Sequence, residues 1–256
     1  MKKDVVRGVV LRAVDVKDSD LMLTVYTHER GLMSIYARGA KKRNNTAGAA
    51  GTAELSYSEF TIVEKQDKIW SSEIVNLNYF ACSILNYEYF AVDFYITELY
   101  NHIATAEPDE ELMRLLLNTL YASAASKYDP YIMKGACEMR LLSRIGYMPD
   151  LSGCSECGAH GELYFDIATG SLLCRECSGT VEREGDSNPT VIITEGARAA
   201  LEYVTSCPIE KIFSFTLAGE DLECFSVAAE RYTLYQLDRD FFSLNMLHDA
   251  KRPRGG

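Results

Sequence analysis

Two Cys-x-x-Cys pairs restrict the possible folds of this chain more than any other feature. Cys154 and Cys157 form the first pair, Cys174 and Cys177 form the second, and 16 residues separate the pairs. This spacing is typical of tetrahedral sites in which four thiolates bind one zinc ion. Four thiolates close the coordination shell, so the sequence predicts one structural Zn²⁺ per chain that stabilises the fold and does no chemistry.

Other uses of these cysteines fit the sequence less well. A thioredoxin-like redox motif has one such pair beside a strand–helix–strand pattern, which is not found here. Disulfides need an oxidising compartment, whereas the stretch MKKDVVRGVV lacks the apolar segment and cleavage site of a signal peptide. Apolar runs also stay well below the ~18 residues of a membrane span. We therefore expect a cytoplasmic protein.

The hydrophobic pattern changes its period near residue 78. Before that point, alternating and β-branched residues predict five short strands and a small barrel or sandwich. These strands are predicted at 5–14, 20–27, 32–38, 52–64 and 68–77, with a mobile Gly/Asn/Ala-rich loop at 39–51. Apolar residues then recur at helical spacing. This spacing predicts helices over 84–103, 112–119, 129–146, 197–204 and 225–235.

The cysteine segment interrupts this helical pattern. Residues 162–167 and 171–173 predict a hairpin between the two pairs, as in a zinc ribbon, and residues 181–190 predict a polar linker. The predicted fold class is therefore α+β and multidomain. Its parts are a small barrel or sandwich at 1–78, a helical domain at 79–150 and 181–249, an inserted Cys₄ zinc module at 151–180 and a disordered tail at 250–256.

Charge is unevenly distributed along the chain, whose net charge is −11. Residues 1–70 contain 12 Lys/Arg and 9 Asp/Glu, whereas residues 71–256 contain 14 and 28. An acidic body with a mildly basic first domain suits one confined nucleic-acid surface. Chance variation between domains explains the same charge pattern.

A basic loop beside the third strand is the best functional signal. In barrels of the oligonucleotide-binding (OB) type, cations contact the phosphates of a single strand and aromatic rings stack on its bases. The candidate nucleic-acid contacts are Arg38, Lys41, Lys42 and Arg43 in the loop, Tyr36 on the strand before it and Arg7 on the first strand. A loop that is charged only for solubility, and a tyrosine in the core, are the alternatives.

Enzymatic chemistry is not indicated. The four histidines, at positions 28, 102, 160 and 248, are scattered, and neither a Gly-x-Ser-x-Gly elbow nor a P-loop occurs. We therefore expect a protein that is not an enzyme and has no catalytic residues.

The order of several motifs resembles the bacterial RecO family of DNA repair and recombination mediators. The motifs are VVLRAVDVKDSDLMLTVYTHERGLMSIYARGAKK at 9–42, EMRLLSRIGYMPDLSGCSECG at 138–158, GSLLCREC at 170–177 and a late helix ending in RDFFSLNML at 239–247. The resemblance implies an OB barrel, a helical domain and a zinc module without enzymatic activity. It also implies a nucleoid-associated location.

The resemblance further implies partners. Members bind and anneal single- and double-stranded DNA and, with RecR, help RecA displace single-stranded-DNA-binding protein (SSB). They also bind the acidic, hydrophobic SSB C-terminal tail, for which Lys134 and Arg140 are the candidate contacts here, unless they are merely exposed helix charges. A zinc-stabilised protein–protein scaffold without DNA contact is the alternative function.

Overall fold

The structure is a computed structural model that describes residues 3–42, 45–65, 68–80, 86–179 and 190–251. The strands are β1 (Lys3–Lys17), β2 (Asp20–Thr27), β3 (Gly31–Ala37), β4 (Ser56–Lys65), β5 (Lys68–Tyr79), β6 (Leu163–Asp166), β7 (Ser171–Cys174) and β8 (Thr190–Ile193). The helices are α1 (Thr46–Gly51), α2 (Tyr87–Ile103), α3 (Glu110–Ala124), α4 (Pro130–Arg144), α5 (Arg175–Ser178), α6 (Glu195–Ser206), α7 (Gly219–Leu237) and α8 (Phe242–Lys251).

The first five strands close into a barrel in the order β1-β2-β3-β5-β4. Neighbouring strands are antiparallel except β3 and β5, which meet in parallel where Tyr36 pairs with Trp70. A five-stranded barrel with one weakly paired seam, here between β3 and β5, is typical of the OB fold. The five predicted strands and the predicted barrel are therefore confirmed.

Alternation along the strands explains the barrel core. On β3, Met33, Ile35 and Ala37 point inward and are buried, whereas Ser34 between them is exposed. Residues from the other strands and Ala40 in the turn after β3 complete one apolar cluster inside the barrel; the other members are Val6, Val10, Leu21, Leu23, Val25, Phe60 and Ile62. The fold places the alternate, outward side chains of β2 and β3 on the face that OB barrels use for binding.

The segment predicted as a mobile loop at 39–51 ends in a short helix, so that part of the prediction was wrong. The side chain of Asn45 accepts a hydrogen bond from Gly48 N–H and begins α1 as its N-cap. Helix α1 occupies residues predicted as loop, and β4 begins at Ser56 rather than at residue 52.

Contacts divide the chain into two compact units. The barrel unit contains residues 1–127 and 241–256, and the ribbon unit contains residues 128–240. These two units are defined by contacts and do not test the boundaries of the three domains predicted from the sequence, which stay predictions. Of the predicted linker at 181–190, residues 181–189 lie outside the described residues, as do residues 252–256 of the predicted tail.

In the barrel unit, α2 packs against the barrel, and α3 and α8 pack on α2. The ring of Tyr26 on β2 lies 5.6 Å from that of Tyr100 on α2. The Leu32 N–H donates to the Thr105 carbonyl at 2.7 Å, which fixes the α2–α3 connection against β3. Glu98 on α2 accepts the backbone N–H of Ser243 at 3.0 Å and thereby caps the start of α8.

One carboxyl group is buried within this helical part. Asp93 on α2 is fully buried, and its Oδ2 accepts a hydrogen bond from the Ser123 hydroxyl of α3 at 2.9 Å. Its Oδ1 has no hydrogen-bond partner among the described residues. Loss of water therefore raises the pKa of Asp93 to about 8.

In the ribbon unit, local signals start and end the helices as predicted. The Asp129 side chain caps α4, Pro130 occupies its first turn, and Gly146 follows its end with φ +105°. The late helix was predicted to end with residues 239–247, but α7 ends where Asp238 adopts φ +46°, and α8 then begins at Phe242. A separate helix therefore replaces the predicted helix end.

Candidate metal centre and nucleic-acid surface

The first cysteine pair forms a tight turn before the hairpin. The Gly158 N–H donates to the Cys154 carbonyl at 2.8 Å, and the Cys154 N–H donates to the Ala159 carbonyl at 2.9 Å. Gly158 has φ +72°, a conformation that favours glycine. The Ser155 N–H also donates to the Leu172 carbonyl at 2.8 Å, which joins this turn to β7.

The predicted hairpin carries the second pair to the same place. Strands β6 and β7 pair antiparallel, with Leu163 opposite Cys174, and Gly170 turns the chain with φ +68°. Cys174 then begins the single turn of α5, and its sulfur accepts the Cys177 N–H at 3.5 Å. The two pairs therefore meet at one end of the hairpin.

The four sulfur atoms form one cluster, in which all lie within 4.8 Å of one another. The sulfurs of Cys157 and Cys174 are 3.7 Å apart. Zinc–sulfur bonds of about 2.3 Å in a tetrahedron place sulfurs ~3.8 Å apart, so the donor set and spacing fit a zinc ion. Cys154 is buried and Cys157 is exposed, so the cluster lies near the surface. The structure thus brings together all four predicted ligands.

The thiol of Cys154 lies in surroundings that favour a thiolate. Burial by itself raises its pKa, but the backbone N–H groups of Cys174, Cys157 and Glu156 outweigh burial and lower the pKa to about 6. A thiolate is the form that binds metal. Local backbone geometry therefore contributes to the donor character of the cluster.

Strand β8 completes the ribbon, and the sequence analysis missed it. It pairs antiparallel with β6, with Val191 opposite Phe165, and makes a three-stranded sheet in the order β7-β6-β8. The ribbon is also tied to the helices, because the Gln236 side chain of α7 donates to the Ile167 carbonyl in the hairpin at 3.1 Å. The short β-branched run of residues 190–193 is the sequence signal that could have revealed β8.

At the barrel, one carboxylate shapes the turn after β3. Asp20 accepts the Gly39 N–H at 2.7 Å and the Tyr36 hydroxyl at 2.6 Å. These bonds lower the pKa of Asp20, the Tyr36 hydroxyl contributing most, and hydrogen bonding to Asp20 raises the pKa of Tyr36. Asp20 therefore holds the start of the basic loop in place. The sequence analysis did not single out this residue.

The basic loop residues lie on the surface at this turn. Arg38, Lys41 and Lys42 are exposed, and Lys41 is paired with Asp15 at 2.9 Å. Arg43 lies outside the described residues. Tyr36 is half-buried on the outer face of the barrel, where its ring centre lies 4.3 Å from that of Trp70. The structure therefore brings Tyr36 together with three of the four predicted loop cations.

Arg7 does not join this group. Its side chain pairs with Glu59 at 2.8 Å, and its carbonyl accepts the His28 N–H at 2.9 Å. It therefore lies at the end of β1 near the β2–β3 turn, whereas Lys41 pairs with Asp15 near the opposite end of the hairpin. Arg7 and the basic loop are on separate parts of the barrel surface.

Lys134 and Arg140 lie inside the ribbon unit. Their prediction as surface charges of α4 that could contact the SSB tail was wrong. Lys134 is fully buried and pairs with Glu138 at 3.0 Å and with Glu230 of α7 at 2.9 Å. Burial alone lowers the pKa of Lys134, but the two carboxylates outweigh burial and raise it. Arg140 donates to the carbonyls of Thr205 and Cys207 at the end of α6.

The physical reason for both positions is that α4 is covered on nearly all sides. The residues of α4 from Pro130 to Leu142 are buried except for Tyr131. Charged side chains there can exist only with partners, which Glu230 and the α6 carbonyls supply. Neither side chain is accessible to a peptide such as the SSB C-terminal tail, so these two residues are not tail contacts in this structure.

The barrel and the four-sulfur hairpin define a class: proteins that combine an OB barrel with a helical body and a Cys₄ metal module. Two family profiles match this chain, "Recombination protein O N terminal" over residues 1–76 and "Recombination protein O C terminal" over residues 85–245. The chain belongs to the Recombination protein O (RecO) family.

Curated relatives agree with this assignment. The chain is 27% identical to the DNA repair protein RecO of Acetivibrio thermocellus over 250 residues, or 96% of each chain. It is 33% identical to that of Anaeromyxobacter sp. (strain K) over 199 residues and 31% identical to that of Desulforamulus reducens over 175 residues, which cover 76% and 67% of each chain.

Membership in this family supports a role in DNA repair and recombination, as the resemblance implied. Among the described helices, none is both long and apolar enough to span a membrane.

Proposed function

We propose that this protein is a non-enzymatic mediator that binds single-stranded DNA on its barrel and anneals complementary strands. The observation that carries this proposal is the basic turn at residues 38–42, held beside Tyr36 on the outer face of an OB barrel. Cations there can contact phosphates while aromatic rings stack on bases. Family membership supports the same role.

The cations differ in how freely they can contact a phosphate. Lys41 must share its charge with Asp15, whereas Arg38 and Lys42 make no ion pair within the described part of the chain. Arg38 and Lys42 are therefore the stronger candidates. Each neutralised phosphate on a single strand contributes about −0.7 to the slope of log K against log salt concentration. Three cations should thus account for about −2 of that slope.

Fluorescence anisotropy of a labelled oligothymidylate, titrated at several salt concentrations, tests the proposal. The variant Arg38→Ala/Lys41→Ala/Lys42→Ala should bind more weakly and reduce the salt slope by about 2. A control, Lys127→Ala/Lys211→Ala/Arg231→Ala, removes three exposed cations elsewhere. Equal losses in both variants would show that net charge, and not this turn, determines binding.

The alternative is a metal-stabilised scaffold without DNA contact. The acidic composition of residues 71–256 favours it, because a negative surface repels phosphates. The same titration separates the two functions: no binding at low salt supports the scaffold, and saturable, salt-sensitive binding supports the mediator.

Partners follow from the proposed role. We propose that the protein acts with RecR to load RecA on strands coated by SSB, and that capture of the SSB tail raises its local concentration there. Loading is measured as RecA-dependent ATP hydrolysis on SSB-coated strands, with and without RecR. Annealing of complementary strands, by contrast, needs neither RecA nor RecR, and should fail in the triple variant of the basic turn.

We also propose that Cys154, Cys157, Cys174 and Cys177 bind one structural Zn²⁺. Their sulfurs are close enough for one ion, and four thiolates leave no position open for water. The short ribbon has little apolar core of its own, so bound metal would supply folding free energy of order 10 kcal/mol.

A further inference from the structure

Strand β3 has a backbone edge that is only partly paired. The Leu32 N–H donates to the Thr105 carbonyl, so Leu32 directs its backbone groups away from β2. Hydrogen-bond direction alternates along an antiparallel ladder, so Ser34, two residues further on, also directs its N–H and C=O away from β2. Among the described residues, β3 pairs with β5 only where Tyr36 meets Trp70.

A groove lies where a further strand would complete this pairing. It has a volume of about 660 Å³, within the range of pockets that bind ligands. Its lining includes outward residues of β2 and β3 and the start of β5, namely Met22, Leu32, Ser34, Tyr36, Lys68 and Ile69. The space is therefore bordered on one side by the open edge of β3 and is mainly apolar.

We propose that this groove binds an extended peptide of a partner protein, which adds to β3 as a short strand. In antiparallel pairing, one guest residue could exchange both backbone hydrogen bonds with Ser34. A donor and an acceptor on one exposed backbone edge suit a peptide main chain, whereas phosphates offer acceptors only. The backbone bonds of this mode are separate from the cations proposed to contact DNA at residues 38–42, although Tyr36 borders both the groove and the basic turn.

The α2–α3 connection already shows that this edge accepts a backbone partner. The Leu32 N–H already donates to the Thr105 carbonyl. The backbone at Thr105 and Glu107 also approaches Gly31 so closely that a Cβ added to Gly31 would lie 2.5 Å from the Thr105 oxygen. This connection covers only the first residues of β3. A guest strand would continue the pairing from Ser34 towards Tyr36.

The charges in the groove define the guest further. Arg30 is already paired with Asp4 and Glu64, and the carboxylate of Glu29, which also lines the groove, accepts the Arg7 backbone N–H. Lys68, by contrast, is exposed and makes no ion pair within the described residues. A guest with a carboxylate beside Lys68 and apolar side chains at alternate positions would match both the charge and the lining. The predicted ligand is thus a peptide with apolar residues at alternate positions and one carboxylate placed beside Lys68.

Selection from a display library of random seven-residue peptides tests this inference directly. Wild-type protein should enrich peptides of the stated pattern, and a synthetic copy should bind about tenfold more weakly to Ser34→Pro. Proline removes only the outward N–H of Ser34 and spares the β2–β3 ladder. Ser34→Ala, which keeps that N–H, should bind as wild type does.

A second measurement does not depend on the folding of any variant. The selected peptide is synthesised with N-methyl groups at alternate backbone positions, in both registers, and titrated against wild-type protein. One register should lose binding, because it blocks the bonds to β3, and the other should keep it. Equal binding by both registers, or no enriched peptide, overturns the proposal. The proposal is also overturned if Ser34→Pro weakens the binding of oligothymidylate but leaves the binding of the selected peptide unchanged.

Discussion

The buried carboxyl group of Asp93 predicts an unusual dependence of stability on pH. Its pKa is raised to about 8 in the folded protein from an ordinary value of 3.8, because burial disfavours the charged form. Between these two values the unfolded chain releases the proton and the folded chain keeps it. The free energy of unfolding therefore falls as pH rises from about 4 to about 8, and this contribution is constant above that.

The magnitude follows from the linkage relation. One pH unit within this window changes the free energy of unfolding by about 1.4 kcal/mol. Since the folded group begins to ionise near pH 8, the loss between pH 6 and pH 8 is about 2 kcal/mol. Asp93→Asn places a permanently neutral side chain at the same site. This variant should be more stable than wild type at pH 8 and should lose the slope.

Urea unfolding at pH 6, 7 and 8, followed by tryptophan fluorescence, measures this effect. Trp70, the single tryptophan, lies in the barrel unit together with Asp93, so it reports on the relevant part of the chain. Glu110→Gln, which removes an exposed carboxylate from α3, controls for the loss of charge. If wild type and Asp93→Asn change in parallel between pH 6 and pH 8, the explanation by burial is refuted.

Three further substitutions test the fold and the metal centre. Lys134→Met should destabilise the protein by about 3–5 kcal/mol in urea unfolding followed by circular dichroism, because it leaves two carboxylates without their buried counter-charge; a loss under about 1 kcal/mol would contradict this. Elemental analysis should find one zinc per chain in the wild type and in Cys224→Ser, and none in Cys154→Ser; zinc retained in Cys154→Ser would exclude it as a ligand. Gly31→Ala should lower the melting temperature, because the added Cβ would meet the backbone at Thr105 in a left-handed conformation with φ +60°; an unchanged melting temperature would show that the α2–α3 connection moves aside freely.

Features with local causes were predictable from the sequence. Two cysteine pairs at this spacing predict a four-thiolate hairpin wherever they occur, and the structure brings the sulfurs together. Asp129 followed by Pro130 marks the start of α4, and Gly146 marks its end. Each cysteine pair and each helix end is defined by residues within a few positions of one another, and only 16 residues separate the two pairs.

Features that depend on distant partners were not predictable in this way. The burial of Lys134 requires Glu230, which lies 96 positions further along the chain and pairs with it only after α7 packs on α4. The four residues of β8 form a strand because β6 offers an edge. Asp20 became recognisable as the organiser of the basic turn only when Gly39 and Tyr36 were placed around it.

The capping of α8 by Glu98 has a consequence for how this protein is made. Helix α8 packs on α2, but all of residues 128–240 must be translated between them. At about 5–20 residues per second, a ribosome takes roughly 6–23 s to do so. During that time the apolar face of α2 emerges without its final cover. The nascent chain is therefore a natural target for chaperones until Phe241, Leu244 and Leu247 arrive to bury that face.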